Sequence, residues 1–141
     1  MPDIAYSNAT QADRDAEAKK LMEEAGVGDI TLKLIYNTSE THKQIATIIS
    51  QMWKQKLGVS TELANYEWKT YLDIRRNQEF DVARSAWCGD YNEASTFLDL
   101  VTSTHGSNSG KYSNPRVDEL MAQSKTTDNP QPLYTEVEQI L

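Results

Sequence analysis

The chain has 141 residues, of which 38% are hydrophobic and 25% charged, with a mean hydropathy of -0.65 and a formal net charge of -7. That length fits one domain burying roughly two-thirds of its unfolded surface, and that composition excludes wholesale disorder. The acidic balance excludes nucleic acid or an anionic membrane as the main partner, and no apolar run approaches the ~20 residues of a transmembrane helix.

Residues 1–9 read as a loose lead-in. Met1-Pro-Asp-Ile-Ala-Tyr6 lacks the basic and apolar regions of a signal peptide, which favours the cytosol, although an excised fragment would look the same. Thr10, three residues before Asp13, predicts a capping box. Ala18, Leu21, Met22 and Ala25 then recur at helical spacing and Gly26 stops them, so an amphipathic helix is expected. Ile30–Tyr36 alternates with period two and predicts a strand. The turn at 37–42 leads, with Thr38 or Ser39 as cap, into the clearest helix. There Ile45, Ile48, Ile49, Met52, Trp53 and Leu57 form one apolar face, closed by Gly58. Val59–Ala64 predicts a second strand, short and polar enough for an edge, and Trp68–Arg76 a short helix. Trp68, Leu72 and Arg75 share one face of it; the plainest reading makes Trp68 and Leu72 core while Arg75 reaches water.

Phe80 opens a third strand expected to run to Trp87, with Val82, Arg84 and Ala86 on one face. Connections of this length favour a parallel sheet with right-handed crossovers and an α/β class. An arginine on what reads as a central strand needs an anion or a water-lined cavity. After Cys88, Gly89 breaks the run, and Asp90, Tyr91 and Asn92 follow at the strand's carboxyl end, where open α/β sheets bind ligands. An ordinary polar turn fits that pattern equally well. Ser95–Thr102 predicts a helix carrying Phe97, Leu98 and Val101, and residues 104–110 a polar loop. Asn114-Pro115 starts another helix with Val117, Leu120 and Met121 inside, and Leu133–Leu141 begin a last one.

Chemistry outside recognition has little support. His42, His105 and Cys88 fall into no metal-ligand spacing, so no metal or other cofactor is expected. A cysteine-dependent hydrolase using Cys88 and His42 is conceivable, but the flanking residues match no such signature. Cys88 is the single cysteine, so it is a buried thiol or half of a bridge whose partner lies elsewhere.

The residues Tyr36–His42, Gln51-Met-Trp-Lys54, Leu57-Gly-Val59, Glu67-Trp-Lys69, Asp81-Val-Ala-Arg84 and Trp87-Cys-Gly-Asp-Tyr-Asn-Glu93 occur in an order and spacing that resemble periplasmic oligopeptide-binding proteins, including the murein-tripeptide binders. The resemblance covers Ala18 to Leu141. It implies part of the C-terminal lobe of a larger two-lobed (type II-like) periplasmic receptor, a single partial domain that serves a peptide ABC importer and its membrane permease without catalysis. Short peptides, murein peptide among them, are then the expected ligands. The resemblance assigns Asp90 to the peptide's amino group, Trp68 and Trp87 to side-chain pockets, and Arg75, Arg84 and His42 to peptide carboxylates. It makes Cys88 half of a disulfide with an upstream cysteine, and pairs the third strand with the peptide main chain. Tyr91 and Asn92 complete the expected site. Gly89 in place of a small non-glycine residue, Glu93-Ala94 in place of Glu-Pro, and the added charge of Arg76 depart from the family pattern. Exposed apolar edges make self-association of such a fragment plausible. A regulatory ligand-binding domain of similar architecture is the remaining alternative.

Overall fold

The computed structural model describes residues 8–141, so most of the expected lead-in lies outside the described residues. The chain divides into two compact units, one spanning Ala9–Ser85 and the other containing Ala86–Leu141.

In the first unit the order is α1 (Gln11–Glu24), β1 (Thr31–Asn37), α2 (Glu40–Leu57), β2 (Ser60–Tyr66), α3 (Trp68–Arg76) and β3 (Val82–Ala83). The strands are parallel in the order β2-β1-β3, with Thr31 opposite Ser60, Asn37 opposite Tyr66, and Leu34 and Ile35 opposite Val82 and Ala83. β2 lies at an edge, as its polar sequence suggested. β1 is central and covered on both faces, which is why Leu34, Ile35 and Tyr36 are buried in succession instead of alternately. Right-handed crossovers leading first to one side of β1 and then to the other put α2 and α3 on opposite faces.

Thr10 caps α1 as expected: its hydroxyl accepts the Asp13 N–H and the Asp13 carboxylate accepts the Thr10 N–H, each at 3.2 Å. The amphipathic reading of α1 is corrected, because no residue of the helix is buried and Leu21 is half exposed. An ion pair at 2.5 Å from Lys56 to Asp15 ties α1 to α2. The single apolar face of α2 also divides. Ala46, Ile49 and Trp53 pack with Leu34, Tyr36, Leu63 and Val82, whereas Ile45, Ile48 and Met52 stay exposed. Periodicity reports an apolar stripe but not its width, and one sheet face covers only part of this one. Gly58 closes α2 in the left-handed region at φ 73°, where a Cβ would be strained.

The third strand is shorter than its alternation predicts. Asp81 donates its N–H to the Lys33 carbonyl and accepts the Lys33 N–H on its carboxylate, and Arg84 donates to the Ile35 carbonyl; pairing then ends. Alternation shows that a segment tolerates an extended backbone, but a strand needs a neighbour to receive its hydrogen bonds. Arg84 therefore follows a short edge strand, and the central-strand reading is corrected.

In the second unit, α4 (Ser95–Leu98) runs into a 3₁₀ turn at Asp99–Val101 where one helix to Thr102 was expected, followed by α5 (Pro115–Ser124) and α6 (Gln131–Ile140). Asn114 caps α5 by accepting the Arg116 N–H at 2.9 Å, with Pro115 in the first turn. Leu98, Val117, Leu120, Met121, Tyr134 and Val137 form the core. Asn108 is buried within the polar loop, and its amide donates to the carbonyls of Thr102 and Tyr112 and accepts the Tyr112 N–H. A loop with a buried polar centre is satisfied from within.

Candidate functional site

The expected ligand-binding residues fall into two sets, His42, Trp68, Arg75 and Arg84 in the first unit and Trp87, Cys88, Asp90, Tyr91 and Asn92 in the second.

In the first unit, His42, Trp68 and Arg84 each follow the carboxyl end of a strand, the edge where parallel sheets take ligands. His42 lies in the first turn of α2, where its N–H donates to the Ser39 cap at 3.4 Å and its Nδ1 is 3.3 Å from the Asn37 carbonyl. Trp68 opens α3 and is 53% exposed, which corrects the reading of it as core. The residue that α3 buries is Tyr71, only 1% exposed, which sequence reasoning missed. Its ring stacks against Trp68 at 6.1 Å and 27°, and the Arg75 guanidinium lies 5.7 Å from its centroid. Helical side chains lean toward the N-terminus, so Arg75 reaches back over Tyr71. The Tyr71 hydroxyl donates to the Arg84 main-chain carbonyl. Burial pushes its phenol above the ordinary value, against the pull of Arg75 and Arg84. One tyrosine thus joins three of the four expected residues. Its spacing, three after Trp68 and four before Arg75, was the available signal.

In the second unit, Trp87 is 38% exposed and meets His105 edge to face at 6.2 Å. Cys88 is exposed, which corrects the buried-thiol reading. Among the described residues, no protein group accepts the main-chain N–H of Ser85, Ala86, Trp87 or Cys88. Asp90 is exposed, and its carboxylate makes no hydrogen bond or ion pair among the described residues. Its main-chain N–H is held, donating to Thr96 Oγ1 at 3.0 Å. Tyr91 and Asn92 are exposed, and the Tyr91 hydroxyl is 2.8 Å from Ser95 Oγ. Glu93 accepts from Ser95 at 2.9 Å and from Tyr134 at 2.8 Å. Burial, and then the bond to Glu93, raise the Tyr134 phenol above its ordinary value.

An exposed carboxylate on a tethered loop can hold an ammonium, and the cations and aromatics of the other set can hold carboxylates and side chains. The model for bacterial extracellular solute-binding proteins, family 5 Middle, matches residues 1–109. The chain belongs to this family.

The periplasmic murein peptide-binding protein MppA of Escherichia coli K12 is 48% identical over 124 residues, 86% of this chain and 23% of MppA. The periplasmic oligopeptide-binding protein OppA of the same strain is 46% identical over 138 residues, 94% of this chain and 25% of OppA. The unliganded open form of MppA matches 100% of this chain and 28% of its own with a TM-score of 0.94 and 44% identity. Haemophilus influenzae OppA in complex with RPPGFSPFR matches 100% of this chain and 29% of its own, with a TM-score of 0.94 and 39% identity. The chain spans about a quarter of the length of the curated relatives it matches. The names of these relatives describe binding, and none describes catalysis.

Proposed function

We propose that this chain supplies part of one lobe of a periplasmic, two-lobed receptor that delivers short peptides, murein peptides among them, to the permease of an ABC importer. Both compact units belong to that lobe in this reading. The observation that carries it is the Asp90 carboxylate, exposed and without a partner among the described residues, on a loop whose main chain is fixed by Thr96. A peptide's α-ammonium, desolvated in a closed cleft, requires such a fixed negative charge. The N–H groups of Ser85–Cys88, without a protein acceptor among the described residues, offer the peptide main chain hydrogen-bond donors, so affinity depends little on sequence. Trp68 and Trp87 line side-chain pockets. Arg75, Arg84 and His42 answer the carboxylates, and Tyr91 and Asn92 flank the amine. Cys88 stays structural, its exposed thiol serving a disulfide in the complete protein, and no catalysis is involved.

The test is Asp90→Asn in the complete protein carrying these residues, with calorimetric titration of free-amine tripeptides. Replacing the carboxylate weakens binding about tenfold or more, the size of a charge-assisted hydrogen bond. Unchanged affinity would rule out the amine clamp. Alkylation at about pH 6 separates the hydrolase alternative, since only an activated thiolate reacts there.

A further inference from the structure

We propose that Thr96 is a positioning residue for the Asp90 carboxylate; the proposal rests on the amine-binding reading of Asp90. Thr96 is 5% exposed in the first turn of α4, and its hydroxyl oxygen accepts the Asp90 N–H at 3.0 Å. Its methyl group lies beneath residue 89, where a Cβ would meet Thr96 Cγ2 at 3.1 Å and the Phe97 ring at 3.2 Å. The two branches of one threonine therefore act on consecutive peptide units: the methyl packs against Gly89 and the hydroxyl holds the N–H of Asp90.

The far end of the loop is held independently. Ser95 gives its only hydroxyl proton to Glu93, so in the 2.8 Å contact with Tyr91 it is the tyrosine that donates. The chain Tyr91 to Ser95 to Glu93 joins Tyr134, which donates to the other oxygen of the same carboxylate at 2.8 Å. Asp90 takes no part in this network with its side chain. A loop tethered on both flanks, with a carboxylate that is exposed and uncommitted among the described residues, has already lost the freedom that a ligand would otherwise have to remove.

The experiment uses Thr96→Val and Thr96→Ser in the complete protein. The dissociation constant of a free-amine tripeptide is compared with that of its N-acetyl analogue. Thr96→Val is expected to reduce the preference for the free amine about fivefold, the value of one hydrogen bond, with the acetylated peptide unaffected. Thr96→Ser keeps the preference. A wild-type preference in Thr96→Val, or an equal loss for both peptides, overturns the positioning role. Asp90→Asn serves as the control: if the wild-type preference survives that change, the amine-clamp reading itself fails, whatever Thr96 does.

Discussion

The hydroxyl of Tyr71 donates to the main-chain carbonyl of Arg84, so the side chain that α3 buries also holds the residue that follows β3. Trp68 and Arg75 lean on the same ring. In the first unit, helix and strand are joined at the positions assigned to ligand recognition.

Tyr71→Phe keeps the ring and removes that bond. It is expected to cost about 1 kcal/mol, with faster exchange of the Arg84 amide that donates to Ile35. Denaturant titration with amide exchange measures both. In the wild-type protein the raised phenol adds stability below its unfolded pKa, which is lost as pH rises through the folded one. Tyr71→Phe removes that alkaline component.

Ile48 and Ile49 are neighbours on α2 with opposite surroundings, the first 55% exposed and the second packed on the sheet. Ile49→Ala should destabilise by about 2 kcal/mol, and Ile48→Ala should stay within about 0.5 kcal/mol. Comparable losses in a denaturation experiment would contradict this division of the stripe.

Leu120 is fully buried between α5 and α6. Leu120→Ala leaves a cavity and is expected to cost about 2–5 kcal/mol. Amide exchange within α5 and α6 reads the loss in that unit.

The Ser103 hydroxyl and N–H both donate to Asp118, at 2.6 and 2.8 Å, and hold its carboxyl below the ordinary value of 3.8. A folded pKa below the unfolded one gives stability that is present above the unfolded value and lost as pH falls through the folded value. A carboxylate-detected NMR titration should therefore place the Asp118 midpoint below 3.8. Ser103→Ala raises it only part of the way, because the N–H remains.

The elements with strong local signals were legible in the sequence. Trp68–Arg76 has the bounds its pattern predicts, and the Thr10 box and Asn114 cap form as read. The parallel pairing of the strands followed from connection length. What failed depended on neighbours: how far β3 pairs, which half of the α2 stripe is covered, and that Leu21 finds no cover. Tyr71, Thr96, Glu93 and Tyr134 were missed because their roles arise from contacts across a turn or between helices, for which local periodicity has no mark. The blocks around Trp68, Arg84 and Asp90 carried the family resemblance, and the family match bears it out.

The most direct measurement compares the complete wild-type protein's affinity for one tripeptide with a free amino group and for the same tripeptide N-acetylated. An ammonium held by Asp90 predicts that acetylation weakens binding about tenfold to a hundredfold. Equal affinities for the two peptides would contradict the account.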